Sequence, residues 1–169
     1  MVPGCKSTGG RRMTESATSI EIRDLYKIFG KSPAAYVDAV KKGMSKTELG
    51  KEHGHILGLN NINISMPGGK IHVIMGLSGS GKSTLIRHIN RLIEPTAGQV
   101  LIDGKDVLRM SDTELRDFRR QRTAMVFQKF ALLPHRTVID NVTFGLEVRG
   151  ITATEARATG MRWIERVGL

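Results

Sequence analysis

The sequence predicts an α/β fold, and three consecutive features near residue 80 are the basis for this prediction. Residues 71–75 form a nearly continuous apolar run, which is typical of a strand covered on both faces. A glycine-rich loop occupies 76–84, and apolar side chains then recur at helical spacing over 85–93. Strand, loop and helix in this order begin a layered α/β sheet.

The first 30 residues predict a polar leader followed by a strand. Residues 1–19 are rich in Gly, Ser, Thr and Arg without an apolar period, so we expect a disordered leader, with Met13 as an alternative start. Apolar residues from Ile20 to Phe29 predict a strand that ends at Gly30.

A polar, lysine-rich insert follows at 31–52. Its apolar stretch at 34–40 predicts a short helix, and Ser45 with Glu48 fits a capping box that opens a second helix.

Three more strands are expected along the chain. Alternating apolar residues at 62–66 predict a half-exposed strand, and the turn at 67–69 predicts a hairpin back into the apolar strand at 71–75. Residues 99–103 and 123–127 predict the other two strands.

Four helices are predicted after the glycine-rich loop. The first ends before Pro95. The others begin at hydroxyl residues that can cap a helix N-terminus, and two of these form capping boxes with a glutamate three positions on. The capping residues are Ser111 (with Glu114), Thr137 and Thr152 (with Glu155).

The size and composition of the chain suit one domain. Its 169 residues and 40% hydrophobic content are enough for a core without disulfides. No apolar run approaches the roughly 20 residues that span a bilayer, and Arg11-Arg12 is not followed by the apolar stretch of an export signal. The single cysteine, Cys5, is compatible with a reducing cytoplasm.

The net charge favours an anionic partner. The chain has 26 Lys and Arg against 16 Asp and Glu, a formal charge of +10, which suits nucleic acid, a nucleotide or an acidic membrane surface. The bases are spread along the chain except at 116–122, and 5% aromatic residues leave few platforms for base stacking. We interpret the charge as mostly solvated surface and predict no nucleic-acid partner.

The loop at 76–83 matches G-x-x-x-x-G-K-[ST] in full, between an expected strand and an expected helix. Its glycines let backbone N–H groups turn towards a phosphate, and the following helix directs its positive end at the same anion. Lys82 would contact the β- and γ-phosphates, and the Ser83 hydroxyl would bind Mg²⁺. A Gly-Ser turn that imitates the pattern is the plain alternative. The predicted nucleotide-binding residues of this loop are Gly76, Ser78, Gly79, Ser80, Gly81, Lys82, Ser83 and Thr84.

Longer stretches of sequence resemble a known family. The segment 74–98, the strand with its turn at 100–104, the tetrapeptide Met125-Val126-Phe127-Gln128 and the segment 137–142 together resemble the ATP-binding subunit of ABC transporters. More narrowly, the polar insert at 31–52 and the sequence of the P-loop are similar to those of the glycine betaine/proline (quaternary amine) importers.

The resemblance implies ATP and Mg²⁺ as cofactors and adds two site residues. Phe29 resembles the aromatic residue that stacks on adenine, with a core aromatic as its alternative. Gln128 resembles the glutamine that contacts Mg²⁺ and the attacking water, so Lys82 and Gln128 are the expected catalytic residues. The segment after this glutamine docks the membrane partner in the family. The residues expected on that surface are Leu132, Leu133, Pro134 and His135.

The resemblance also implies a place in the cell and a set of partners. We expect a peripheral protein at the cytoplasmic face of the cell membrane, bound to a transmembrane permease subunit and to a second ATPase protomer, and indirectly to a periplasmic or extracellular substrate-binding protein. Residues 20–169 would form a partial ABC ATPase domain: a P-loop NTPase core of the α/β class with an N-terminal antiparallel β portion, in which 129–169 begin the helical subdomain.

Family members hydrolyse ATP with three further elements: an LSGGQ signature, a Walker B Asp-Glu pair and a switch histidine. None of them occurs in these 169 residues. We therefore expect a chain that binds ATP, hydrolyses it poorly alone and folds with marginal stability.

Two other classes remain open. One is another P-loop enzyme, although a GTPase would carry Asn-Lys-x-Asp and no Asn here precedes Lys. The other is a non-catalytic nucleotide-binding or nucleic-acid-binding fragment, for which steeply salt-dependent DNA binding would be diagnostic.

Two histidines, His53 and His55, flank Gly54 just after the insert. No third metal ligand stands at suitable spacing, so we expect both to be surface histidines.

Overall fold

A computed structural model describes residues 18–127 and 131–169 of the chain. Most of the predicted leader at 1–19 lies outside the described residues. The described residues fall into two compact units, one up to Arg109 and one from Met110. The elements in chain order are β1 (Ile20–Phe29), a 3-10 helix (Pro33–Tyr36), α1 (Val37–Lys41), α2 (Lys46–His53), β2 (Ile56–Met66), α3 (Lys82–Ile89), β3 (Ala97–Ile102), β4 (Lys105–Asp106), a 3-10 helix (Val107–Arg109), α4 (Asp112–Gln121), α5 (Val138–Val148) and α6 (Ala153–Arg166).

The first unit is built on a four-stranded antiparallel sheet with the order β2-β1-β3-β4. In its centre Ile22 of β1 stands opposite Ile64 on one side and Val100 on the other. Leu25 and Ile28, further along β1, are fully buried. The apolar positions of β1 thus supply the sheet's buried face, and the predicted strands at 20–29, 62–66 and 99–103 are confirmed with extended or shifted ends.

The insert at 31–52 folds into a 3-10 helix and two short helices. The hydroxyl of Ser45 accepts the Glu48 backbone N–H at 3.1 Å, and the Glu48 carboxylate accepts the Ser45 N–H at 3.4 Å, so the predicted capping box is present. The helices cover one end of the sheet with a shared apolar cluster. Its buried members are Tyr26, Ile28, Val37, Val40, Leu49 and Leu57.

Two predicted strands are wrong. Residues 71–75 and 123–127 have irregular backbone, and Ile71 and Val126 expose 95% and 98% of their surface. The expected hairpin at 67–69 does not form either, since 71–75 does not return along β2. A strand exists only through hydrogen bonds to a neighbouring strand, and in the described ranges neither segment pairs with one. An apolar run is therefore not sufficient to make a strand.

The second unit consists of α4, α5 and α6. Ser111 forms the predicted capping box with Glu114. At Thr152 the arrangement differs, because the hydroxyl accepts the Glu155 N–H and itself donates to the Glu155 carboxylate at 2.9 Å. Helices α5 and α6 approach closely at Gly160, where a Cβ would lie 2.8 Å from the Thr143 methyl group.

Candidate nucleotide-binding site

The glycine-rich loop is a compact turn that leads straight into α3. The Leu77 carbonyl accepts the Ser80 N–H at 3.2 Å, and Gly81 then precedes the helix with φ of 92°. A Cβ on Gly81 would lie 2.7 Å from the Gly58 carbonyl oxygen of β2. Only glycine combines this left-handed backbone with so close an approach, so Gly81 lets the loop pass close to β2.

The N-terminus of α3 carries no side-chain cap. Helices α2, α4, α5 and α6 begin instead at Ser or Thr hydroxyls that accept a backbone N–H. The first-turn N–H groups of any helix lack an intrahelical acceptor. In α3 these donors and the positive end of the helix dipole are left for an anion.

The Lys82 side chain folds back over the loop. Its Nζ donates to the carbonyl oxygens of Gly76 at 2.8 Å and Leu77 at 2.7 Å, and lies 3.5 Å from the Ser80 hydroxyl. The ammonium group is therefore held within the loop. This is the point charge that a bound phosphate chain requires.

The remaining loop residues have the chemistry that Mg-ATP needs. Ser78 and Ser83 are exposed, and Ser83 lies in the first turn of α3 next to Thr84. A hydroxyl is a hard oxygen donor that suits Mg²⁺, which commonly takes its other ligands from phosphate oxygens and water. The residues present therefore fit Mg²⁺ bound to a triphosphate.

Phe29 lies beside the stretch of β2 that supports the loop. It ends β1 opposite Ile56, and its ring covers Gly58, where a Cβ would lie 2.6 Å from the ring edge. The same Gly58 contributes its carbonyl to the contact with Gly81. Phe29 keeps 37% of its surface exposed, and the Lys27 ammonium lies 5.0 Å from the ring centroid. Part of the ring is therefore accessible from solvent, and base stacking and a core aromatic both stay as predictions for Phe29.

The predicted glutamine, Gln128, lies outside the described residues. After it, Leu132 is largely exposed, and Asn141 holds the loop at 133–137. The Asn141 side-chain oxygen accepts the Leu133 N–H at 2.8 Å, and its NH2 group, with two hydrogens, lies within hydrogen-bond distance of three carbonyl oxygens of the loop. Sequence reasoning missed Asn141, although an amide four residues after a capping threonine is a usable signal.

Two histidines of the first unit are buried, His55 and His88. His55 exposes only 5% of its surface, so the prediction of a surface residue is wrong: the insert folds over it. His88 of α3 is fully buried, with Nδ1 2.6 Å from the Thr84 carbonyl oxygen. Burial lowers the pKa of His88, and the charge of Lys27 lowers it further. Within the described ranges no three His, Cys, Asp or Glu side chains gather as a metal site.

A glycine-rich loop that holds its lysine and opens an uncapped helix defines a P-loop nucleotide-binding protein. The family model described as ABC transporter matches residues 59–169. The chain belongs to the ABC transporter family. This assignment decides against the GTPase alternative.

Curated relatives are similar over most of the chain. The glycine betaine/proline betaine transport system ATP-binding protein ProV of Salmonella typhimurium is 51% identical over 153 residues, which is 90% of this chain and 38% of the relative. The glycine betaine transport ATP-binding protein OpuAA of Bacillus subtilis is 45% identical over 155 residues, 92% of this chain and 37% of the relative. The chain thus spans little more than a third of the length of these relatives.

The chain is also similar in structure to solved ABC transporter cassettes. A dimeric bacterial ABC transporter cassette superposes with a TM-score of 0.69 at 28% identity, covering 86% of this chain and 56% of the cassette. A dimeric cassette in a post-hydrolysis state bound to ADP and Pi gives a TM-score of 0.68 with the same identity and coverage. Among the described helices none is both long and apolar enough to cross a membrane.

Proposed function

We propose that this chain is the nucleotide-binding part of an ATP-binding subunit that energises import of a quaternary amine or similar osmolyte, such as glycine betaine or proline. The observation that carries the proposal is Lys82, held within the P-loop at an uncapped helix N-terminus. The substrate class is supported by relatives at 51% and 45% identity whose names specify glycine betaine transport.

Each site residue then has a role towards Mg-ATP. The N–H groups that open α3 would donate to phosphate oxygens, and the Lys82 ammonium would exchange the carbonyls of Gly76 and Leu77 for the β- and γ-phosphates. Ser83 would bind Mg²⁺, Phe29 would stack on the adenine, and Gln128 would orient the attacking water. Bound Mg²⁺ would supply neutralisation of the phosphate charge.

The partners proposed are a transmembrane permease subunit and a second ATPase protomer, with a substrate-binding protein acting indirectly. The exposed Leu132, in front of the loop that Asn141 holds in place, offers a preformed apolar contact for the permease. The solved cassettes are dimeric, which supports a second protomer. The subunit would sit peripherally at the cytoplasmic face of the cell membrane.

These 169 residues by themselves are proposed to bind ATP without efficient turnover. An ABC-type catalytic centre needs a signature sequence from one protomer and a Walker B glutamate from the other, and this chain contains neither. Binding and hydrolysis are thus separate properties here, because the phosphate-binding residues are present and the general base is not.

Phosphate release from ATP tests this separation. The purified chain is expected to release phosphate no faster than its Lys82→Ala variant, while a fluorescent ATP analogue binds the parent chain and not the variant. Lys105→Ala, on β4, removes a lysine of equal charge outside the loop and serves as the matched control. Turnover at the rate of an intact transporter, lost in Lys82→Ala, would contradict the proposal.

A further inference from the structure

His55 joins the two ends of the insert. Its Nε2 lies 2.6 Å from the carbonyl oxygen of Lys31, where the insert begins, and its Nδ1 lies 2.5 Å from the carbonyl oxygen of His53, at the end of α2. A carbonyl oxygen can only accept, so a ring N–H of His55 donates to at least one of these two carbonyls, and the other ring nitrogen lies against the second. The ring therefore closes the loop formed by residues 31–53.

The same ring fixes the backbone directly after Phe29. Gly30 has φ of 150°, and a Cβ there would overlap the imidazole of His55. The Tyr36 ring covers the imidazole from the insert, with centroids 4.4 Å apart. His55 is thus enclosed between the end of β1 and the 3-10 helix, and its removal would leave a cavity beside Gly30.

The strand that follows His55 supports Phe29 from the other side. Ile56, the next residue, is the cross-strand partner of Phe29, and Gly58 backs its ring. The backbone of Phe29 is consequently fixed by the β1–β2 pairing before it and by the His55 contacts after it. The contacts that hold the P-loop, from Gly81 to Gly58 and from Lys82 to loop carbonyls, do not involve His55.

We propose that His55 is a positioning residue for the base of the bound nucleotide. Its contact with the Lys31 carbonyl and its packing on Gly30 orient Phe29 for stacking. This inference rests on the proposed function, since it requires ATP in the P-loop with its adenine at Phe29. A residue that acts only through Phe29 affects ligands that carry a base. It leaves ligands that consist of phosphate alone unaffected.

The test compares two ligands on the whole chain, Mg-ATP and inorganic tripolyphosphate, by titration calorimetry. Stacking of a base on an aromatic ring is worth about tenfold in affinity. Phe29→Ala is therefore expected to weaken ATP binding about tenfold, and His55→Ala about three- to tenfold, with tripolyphosphate binding unchanged in both. The double variant should bind ATP no more weakly than Phe29→Ala alone, because both changes remove the same contact.

Two further variants separate positioning from general stability. His55→Gln keeps one amide donor for the Lys31 carbonyl and is expected to restore part of the ATP affinity; it also replaces His55→Ala if that variant does not fold by circular dichroism. His53→Ala removes the other imidazole that packs on Tyr36, at 4.8 Å, but keeps the backbone carbonyl, so it should bind both ligands normally.

The outcomes are distinct. Equal weakening of both ligands by His55→Ala, additive losses in the double variant, or no effect on ATP would overturn the positioning role while leaving the P-loop function intact. A parent chain that binds neither ligand would instead refute the proposed function, and the inference with it.

Discussion

At the scale of single residues, burial sets the pKa of His88, a histidine in the helix that follows the P-loop. His88 sits one turn beyond Thr84 in the P-loop helix and is fully enclosed. Its Nε2 is buried and makes no well-aligned hydrogen bond among the described residues. The protonated ring would therefore be poorly solvated, which is why desolvation lowers its pKa.

The lowered pKa of His88 predicts a loss of stability in mild acid. Above the ordinary histidine pKa both folded and unfolded chains are neutral at this residue, so its contribution is complete. Below that value the unfolded chain binds a proton that the folded chain does not, and the free energy of unfolding falls. Urea unfolding at several pH values between 7.5 and 5 measures how steeply the free energy of unfolding falls with pH.

A pair of variants assigns the slope to His88. His88→Leu should remove part of the acid-dependent loss, whereas Leu in place of the exposed His72 should leave it unchanged. Equal slopes in the parent chain and His88→Leu would contradict the assignment.

At the scale of elements, the helices followed from the sequence more completely than the strands. A capping box is satisfied by residues three positions apart, and Ser45 and Ser111 formed theirs as expected. The strands predicted at 71–75 and 123–127 needed partners remote in sequence, and apolar composition does not specify those. The burial of His55 likewise arose from the folded insert, which no local pattern encodes.

The close contact of α5 and α6 predicts opposite effects at two helical glycines. Gly160 has no room for a side chain, whereas a Cβ on Gly145 would meet nothing within 4 Å. Gly160→Leu should lower the free energy of unfolding by roughly 1–3 kcal/mol through overpacking. Gly145→Ala should raise it by about 0.5–1 kcal/mol through helix propensity.

Denaturant unfolding of the two variants measures both changes. If Gly160→Leu were as stable as the parent chain, the close approach of α5 and α6 would be refuted.

At the scale of the whole molecule, the described residues leave much apolar surface uncovered. Just before and within the P-loop, four apolar residues expose between 73% and 95% of their surface: Ile71, Val73, Met75 and Leu77. In a monomeric protein such a contiguous stretch is an association site. The P-loop was predictable from its motif alone. The conformation of residues 71–75, which lead into it, was not, because a strand there requires neighbouring strands that the local sequence does not specify.

This exposed stretch predicts that the chain self-associates. Light scattering should show a mass that rises with protein concentration, and Val73→Lys should reduce it by placing a charge in the stretch. Leu92→Lys adds the same charge at a half-exposed site outside it and serves as the control. A monodisperse monomer with a sharp cooperative melt would count against the prediction.

The central claim is that the loop closed by Lys82 binds the triphosphate of ATP. Titration calorimetry of Mg-ATP into the whole chain, Lys82→Ala and Lys105→Ala measures it most directly. We predict saturable one-to-one binding by the parent chain and Lys105→Ala, and a loss of at least about tenfold in affinity for Lys82→Ala, since a charge-assisted contact to phosphate is removed. Equal affinity in all three proteins, or no binding by the parent chain, would contradict the claim.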